Sequence, residues 1–135
     1  MSTVPTAPST TTLRVRYAET DRMGVVYYAN YLVWFEVARA DWLRERGFNY
    51  REMEAGGVLL PVISAHCDYQ RSAHYDEAIT IRATGVLHSK VRVEFTYDVF
   101  KEDGTLAARG TTMHAAVDPQ GRPCRLPEQV REVFQ

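Results

Sequence analysis

A carboxylate stands a few residues ahead of a long apolar stretch, and this spacing is suited to acyl transfer. The run begins at Asp21, passes Gly24, where the backbone can turn, and reaches Tyr28. The start of a helix has backbone N–H groups without partners and carries partial positive charge, so it can stabilise a developing oxyanion. The carboxylate would supply the general base or nucleophile that those amides lack. The same pattern is also typical of an ordinary turn followed by a helix cap.

The element that must position these amides is a helix predicted over residues 28–46, with Gly47 as its C-terminal cap. The first half of this helix is apolar on nearly every side, so we expect it to be buried all round. Within that half, Glu36 needs a partner if it is buried, and Arg39 lies on roughly the same helical face. The spacing therefore predicts a structural ion pair between these two side chains.

Apolar and polar residues alternate in five further segments, which lie at about 13–17, 60–70, 77–87, 91–99 and 105–117. Short helices are expected over 50–55 and after Pro127. All five strands can pair antiparallel, and a sheet with one apolar face must bury that face against something. The sequence therefore predicts an α+β fold in which one curved five-stranded antiparallel sheet wraps around the long helix.

The composition bounds the function classes. The chain has 135 residues, 45% apolar and 24% charged, which is typical of one globular domain. Sixteen basic residues against 17 acidic ones disfavour nucleic-acid binding, and no run approaches the roughly 20 apolar residues of a membrane span. Residues 1–12 are polar or small and predict a disordered tail rather than a secretory signal, leaving 13–135 as the domain.

The two cysteines and four histidines give no sign of a disulfide or a metal site. Cys67 and Cys124 are expected to be reduced, which favours the cytoplasm as the compartment. No two histidines have the i, i+4 spacing of a helical metal site. The prediction is therefore no metal.

Residues spread over the whole chain after the tail carry a resemblance to a known family. They are Tyr17, Asp21, 24–27, 29–32, Phe35, Glu36, Ala38, Arg39, 60–62, Tyr75, Asp76, Phe95, Tyr97, His114, Ala115, Leu126 and Pro127. The sequence resembles the 4-hydroxybenzoyl-CoA thioesterase-like branch of the hotdog fold, and within it the Tol–Pal-associated acyl-CoA thioesterases. The resemblance implies hydrolysis of an acyl-coenzyme A thioester to free acid and coenzyme A.

The resemblance also assigns roles to particular residues. It implies that Asp21 is the catalytic carboxylate and that the main-chain N–H of Tyr28 polarises the thioester carbonyl. Many relatives have histidine at the position of Tyr28. Relatives form homodimers, often paired into homotetramers, so each site would combine the Asp21 loop of one subunit with the sheet of the other.

The substrate would need an acyl pocket and a phosphate site. The expected pocket residues are Gly24, Val25, Val26, Tyr27 and Pro61. The basic hairpin at 88–92 offers Lys90 and Arg92 to the coenzyme A phosphates, although it is also typical of a solvated turn. Coenzyme A is part of the substrate, so no cofactor is expected.

Two other functions are compatible with the pattern. A hotdog hydratase or dehydratase is disfavoured because those enzymes pair histidine with a carboxylate, and the stretch around Asp21 contains no histidine. A non-catalytic protein that binds acyl-CoA or an acyl carrier would keep the same cavity without turnover. The choice between base and nucleophile for Asp21, and between coenzyme A and carrier protein, stays open.

Overall fold

The computed structural model describes residues 7–48 and 50–134. Within these ranges the elements are β1 Ser9–Arg14, α1 Asn30–Glu45, α2 Tyr50–Ala55, β2 Val62–Tyr69, β3 Ala78–Leu87, β4 Arg92–Phe100, β5 Leu106–Ala115 and α3 Glu128–Glu132. The strands form one antiparallel sheet in the order β1-β3-β4-β5-β2, so β1 and β2 are its edges. The predicted hotdog architecture, one five-stranded antiparallel sheet with a long helix, is confirmed.

The inner face of the sheet packs against α1 through large aromatic side chains. Trp34, Phe35 and Trp42 of α1 are fully buried, and the Phe35 ring stacks on Tyr97 of β4 with centroids 4.2 Å apart. A Cβ atom at Gly110 of β5 would lie 2.5 Å from the Phe35 ring. Glycine at this position therefore lets the helix approach the sheet closely enough to bury its aromatic face.

The prediction that the first half of α1 is buried all round is wrong for the single chain. Leu32, Val33 and Val37 remain 42%, 46% and 40% exposed. One sheet covers only one side of a helix, and these residues point away from it. An apolar strip of α1 therefore remains available for contact with another surface.

The helix also begins later than predicted. It starts at Asn30 rather than at residue 28, and Tyr28 lies in the turn before it. At the other end Gly47 adopts φ +89°, the left-handed conformation expected of a C-terminal cap. The later start places the Tyr28 amide immediately before the first helical turn, where N–H groups lack helical partners.

The tail predicted over 1–12 is too long. Residues 9–12 belong to β1, in which Ser9 and Thr11 are buried and Thr11 pairs with Ile81 of β3. Three consecutive threonines, Thr10 to Thr12, suit a strand because β-branched side chains pack well on a pleated surface, although their polarity resembles that of a tail. Residues 1–6 of the predicted tail lie outside the described residues.

The strand predicted over 13–17 is wrong at its C-terminal end. The chain leaves the sheet after Arg14, and Tyr17, expected on the buried face, is 77% exposed at the start of a 3₁₀ turn, Tyr17–Glu19. The alternating pattern continues past the point where β3 stops offering a pairing partner. This turn leads directly into the Asp21 loop.

The predicted ion pair between Glu36 and Arg39 does not form. Arg39 is the buried member, and its Nε donates a hydrogen bond of 3.1 Å to the Tyr50 hydroxyl. Glu36 lies on the exposed side of α1 and needs no buried partner. The two residues are three positions apart on the helix, but the Arg39 side chain turns to Tyr50 rather than to Glu36.

Both cysteines are free, as predicted, since neither Cys67 nor Cys124 forms a disulfide. In the part of the chain that the structure describes, no helix has both the length and the apolar character needed to cross a membrane.

Candidate active site

The loop that carries Asp21 is closed by main-chain hydrogen bonds. Thr20 and Val26 form a β-bridge across it, and the Asp21 N–H donates to the Val25 carbonyl at 2.9 Å. Gly24 adopts φ +79° and donates its N–H to the Asp21 carbonyl at 3.0 Å. A side chain at Gly24 would meet nothing within 4 Å, so glycine serves the left-handed turn rather than a close approach.

The Asp21 carboxylate is only partly occupied by protein contacts. Its Oδ1 accepts a hydrogen bond from the Met23 N–H at 2.8 Å, which holds the side chain against its own loop. Among the described residues no hydrogen bond reaches Oδ2. One carboxylate oxygen is thus fixed and the other is free to take a proton or to attack a carbonyl.

The turn before α1 presents main-chain donors without acceptors. The carbonyl of Tyr27 accepts the Asn30 N–H at 2.9 Å, and that of Tyr28 accepts the Tyr69 hydroxyl at 2.9 Å, so both peptide planes are held. Within residues 7–48 and 50–134 neither the Tyr28 nor the Ala29 N–H has an acceptor. These donors are available for an oxyanion at the positive end of the α1 dipole.

A cavity of about 280 Å³ brings the carboxylate and the Tyr28 turn together. It is lined by Asp21, Val25, Val26, Tyr28, Tyr31, Tyr69, Gln70, Arg71 and Ser72. The carboxylate, the main-chain donor and apolar walls in one space are suited to activation of a carbonyl substrate. Arg71 has no carboxylate within 4.0 Å among the residues described, so this side chain adds a positive charge at the cavity, although that charge also acts on the more distant Asp103.

One side of this cavity consists of residues that no sequence motif predicted. Tyr69 ends the edge strand β2, and the polar run 70–72 follows it. An aromatic residue at the end of an alternating strand, followed by polar residues, was the available signal. Only the sheet topology brings this end of β2 beside Asp21.

The predicted acyl-pocket residues fall into three places. Val25 and Val26 line the Asp21 cavity. Gly24 forms the turn, and the partly exposed ring of Tyr27 lies against the Tyr28 ring with centroids 4.7 Å apart. Neither of these two residues lines the cavity.

Pro61, the fifth predicted pocket residue, lies at the other end of β2. It lines a separate cavity of about 420 Å³ with Glu36, Arg39, Tyr50, Glu54, Leu59, Leu60 and Val117. The seven residue steps of β2 separate the two cavities by roughly 23 Å at ~3.3 Å per residue. Within one chain Pro61 therefore does not join the Asp21 cavity.

The predicted phosphate-binding residues lie at the Pro61 end of the sheet. Lys90 and Arg92 are exposed in and just after the turn between β3 and β4. His88, which follows β3, contacts Glu94 of β4 at 3.0 Å, so a carboxylate lies close to the two cations in sequence. Within one chain these cations are distant from Asp21, because β2 extends between them and the Asp21 cavity.

A buried polar chain lies beneath the Pro61 cavity. The Tyr97 hydroxyl bonds Thr112 Oγ1 at 2.7 Å, and the same oxygen bonds His114 Nε2 at 2.8 Å. His114 Nδ1 lies 3.2 Å from the Leu60 carbonyl oxygen. Burial lowers the pKa of His114 to about 4, with a further decrease from the charge of Arg39, although the Leu60 contact acts in the opposite direction. This histidine is neutral at pH 7 and stabilises the loop before β2.

Comparison with known proteins places this chain among thioester hydrolases. Residues 15–134 match the model of the thioesterase-like superfamily. YneP of Bacillus subtilis (strain 168), named provisionally as an acyl-CoA thioesterase, is 37% identical over 90% of this chain and 86% of its own length. The acyl-CoA thioester hydrolase YbgC of Escherichia coli O6:H1 is 28% identical over 90% of this chain and 92% of its own. The DHNA-CoA thioesterase of Staphylococcus aureus superposes with a TM-score of 0.92 at 35% identity, covering 96% of this chain and 89% of that one.

Proposed function

Since the chain belongs to the thioesterase-like superfamily and is a thioester hydrolase, we propose that it cleaves acyl-coenzyme A esters at the cavity that joins Asp21 to the start of α1. One observation carries the assignment to this cavity. Among residues 7–48 and 50–134, no donor reaches one oxygen of the Asp21 carboxylate and no acceptor reaches the Tyr28 N–H, and both residues line the same space.

The proposed reaction begins with attack on the thioester carbonyl. As general base, Asp21 takes a proton from water while the water oxygen bonds to the carbonyl carbon, a contribution of typically ~10²–10⁴ in rate. As negative charge develops on the carbonyl oxygen, this oxygen accepts a hydrogen bond from the Tyr28 N–H. One such donor typically contributes ~10²–10³ in rate. Collapse of the intermediate breaks the C–S bond and releases the coenzyme A thiolate, which takes up a proton.

The second route uses Asp21 as the nucleophile. Its free Oδ2 would bond to the carbonyl carbon and displace the thiolate, leaving a mixed anhydride. Water then cleaves the anhydride and regenerates the carboxylate. Both routes use the same free oxygen and the same main-chain donor, but the base route needs room for a water between the carboxylate and the carbonyl carbon.

We further propose a homodimer formed through β2. This edge strand exposes Val62 and Ile63, and the apolar strip of α1, which contains Val33, is also uncovered. An exposed apolar edge strand has unpaired main-chain N–H and C=O groups that can bond another strand. The β2 strand of a second copy, related by a two-fold axis, would pair with it antiparallel. Such pairing sets the Tyr69 end of one strand against the partner's Pro61 end.

In this dimer one cavity from each chain would contribute to a single composite site. The Asp21 cavity of one protomer would adjoin the Pro61 cavity of the other, which gives the acyl group a compartment. Lys90 and Arg92 of the partner would then approach the coenzyme A phosphates, which they cannot do within one chain. The homotetramer, the cytoplasmic location and the Tol–Pal-associated subgroup remain predictions.

Release of thiol from a panel of acyl-CoA esters tests the proposed reaction. Short straight-chain, long straight-chain, α,β-unsaturated (enoyl) and aromatic esters are compared, each also as an acyl carrier protein thioester. We expect hydrolysis of at least one coenzyme A ester that is abolished by Asp21→Asn. Binding without thiol release would identify a non-catalytic acyl-CoA protein, and a change in enoyl-CoA absorbance without thiol release would identify a hydratase.

Subunit mixing tests the composite site. Asp21→Asn removes the carboxylate, and Pro61→Arg fills the second cavity. If each site combines Asp21 of one protomer with Pro61 of the other, a refolded mixture of the two inactive variants regains roughly a quarter of wild-type activity, because half the dimers are mixed and each holds one intact site. No recovery in a mixture shown to contain mixed dimers would contradict the composite site.

A further inference from the structure

A buried carboxylate that takes no part in the proposed chemistry lies two residues before Asp21. Glu19 is only 5% exposed, and each of its side-chain oxygens has a separate donor. Oε1 accepts the main-chain N–H of Arg16 at 2.8 Å, and Oε2 accepts the indole N–H of Trp34 at 2.8 Å. The Arg16 guanidinium lies 3.4 Å from Oε2. The carboxylate thus joins the 3₁₀ turn before the Asp21 loop to the second turn of α1.

The main chain of Glu19 makes a second connection to the same helix. Its carbonyl oxygen accepts the Tyr27 N–H at 2.8 Å and the Asn30 side-chain amide at 2.9 Å. These two donors flank Tyr28 in the chain. Glu19 therefore bonds Tyr27, just before the proposed donor, and Asn30, the first residue of α1. Its side chain also bonds Trp34 in the second turn of α1.

The environment of this carboxylate favours its charged form. Burial by itself raises the pKa of Glu19, but the hydrogen bonds from Arg16 and Trp34 more than offset burial, and the pKa lies below its usual value. A buried carboxylate that has donors on both oxygens is rigid, because any rotation leaves a buried charge or an indole N–H unsatisfied.

We propose that Glu19 is a positioning residue for the proposed hydrolysis: it clamps the Asp21 loop to α1 and so fixes the separation between the Asp21 carboxylate and the Tyr28 amide. The inference rests on the proposed function, since it assigns these two groups to one reaction. A displacement of about 1 Å between reacting groups can cost ~10² in rate. The clamp acts on turnover rather than on substrate affinity, because Glu19 does not line either cavity.

Two variants each alter one partner of the hydrogen bond between Glu19 and Trp34. Glu19→Gln leaves one acceptor oxygen for two donors, and Trp34→Phe removes the indole donor while keeping an aromatic ring in the core. Each is expected to lower kcat at least tenfold and to leave KM within twofold. Because both remove the same connection, the double variant is expected to lose no more than the more severe single variant. Unchanged kcat in both single variants, or fully additive losses, would overturn the proposal.

The control variant is Glu45→Gln, which removes a carboxylate that joins α1 to β1 through a 2.6 Å hydrogen bond from Ser9. It is expected to keep wild-type kcat. An equal loss in this variant would mean that any loosened contact of α1 lowers turnover, and the specific role of Glu19 would be lost.

Amide NMR provides a readout that needs no activity. In Glu19→Gln the Tyr28 and Ala29 resonances are expected to shift and their hydrogen exchange to accelerate, while amides of β4 and β5 stay unchanged. If the wild-type protein releases no thiol, the proposed function fails and these resonances still decide the clamp. Tyr28 and Ala29 amides that are identical in the wild type and in Glu19→Gln would overturn it.

Discussion

The hydroxyl group of Tyr69 donates a hydrogen bond of 2.9 Å to the main-chain carbonyl of Tyr28. Tyr69 is the last residue of the edge strand β2, so the sheet edge directly holds the turn that presents the proposed donor. Burial raises the pKa of Tyr69, and contact with Cys67 raises it further, so the phenol keeps its proton at neutral pH. Through this bond, a strand that pairs with β2 would also affect the position of the Tyr28 turn.

Replacement of Tyr69 by Phe tests this relationship. The variant keeps the ring, which lies edge-on to Tyr31 at 5.1 Å, and removes only the hydroxyl. Because a neutral hydrogen bond contributes ~0.5–1.5 kcal/mol net, we expect kcat to fall roughly 2- to 12-fold. Steady-state thiol release measures the effect. The matched control is Tyr75→Phe, an exposed tyrosine that packs on Tyr17, and a loss of the same size there would remove the specific role of Tyr69.

Replacement of Asp21 by Asn removes the base or nucleophile and preserves shape. We expect the variant to fold normally and to lose at least ~10²-fold in kcat, the lower end of general-base contributions. Asp98→Asn, which breaks an exposed pair with Arg109 on the sheet, is expected to keep full activity. Thiol release and thermal unfolding are measured for both variants. Wild-type turnover in Asp21→Asn would exclude this carboxylate from the mechanism.

Replacement of Tyr28 by Phe or His separates main-chain from side-chain function. The proposed donor is the Tyr28 N–H, and the side chain of Tyr28 is 60% exposed. We therefore expect kcat to stay within about threefold of wild type in both variants, since a surface side chain contributes little. Thiol release with one acyl-CoA ester decides the point. A loss of two orders of magnitude would assign the chemistry to the phenol instead.

Protonation of His114 is expected to limit stability in acid. The unfolded imidazole binds a proton below pH ~6.5, whereas the folded one does so only near its pKa of about 4. Its stabilising effect is therefore complete above pH 6.5 and is lost as the pH falls from 6.5 to 4, by up to about 3 kcal/mol. Urea unfolding of His114→Gln at pH 7 and pH 4.5 should show a smaller difference than in the wild type. An equal difference in His114→Gln and in the wild type would remove His114 as the cause of the acid sensitivity.

Replacement of Gly110 by Ala tests the contact between α1 and the sheet. The new Cβ would lie 2.5 Å from the Phe35 ring and 2.7 Å from the main-chain oxygen of His66, so either the helix or the edge strand must move. We expect the free energy of unfolding to fall by ~1–3 kcal/mol. Gly56→Ala, where the nearest atom is 3.4 Å from the new Cβ, is the control and should change stability much less. Equal stability of the two variants would contradict the packing argument.

Local sequence patterns predicted those helices and strands whose tertiary contacts favour the same local structure. Alternation predicted β4, whose buried Val93, Phe95 and Tyr97 face α1, and glycine at 47 predicted the end of the helix. The same reasoning failed where a distant partner decides the outcome. Thr11 is strand rather than tail because β3 pairs with it, and Val33 is exposed because the sheet stops short of that side of α1.

The sequence by itself determined that Asp21 precedes a helix start, because a carboxylate, a glycine turn and an apolar helix are adjacent in the chain and form local structure. The tertiary structure alone decided what surrounds that carboxylate. Tyr69 lies 41 positions from Tyr28 and reaches it only because β2 forms the edge of the sheet beside the turn. Pro61, immediately before the other end of this strand, lies in a different cavity because eight extended residues separate the two ends. Contacts between distant segments depend on strand order and register, which no local pattern of residues specifies.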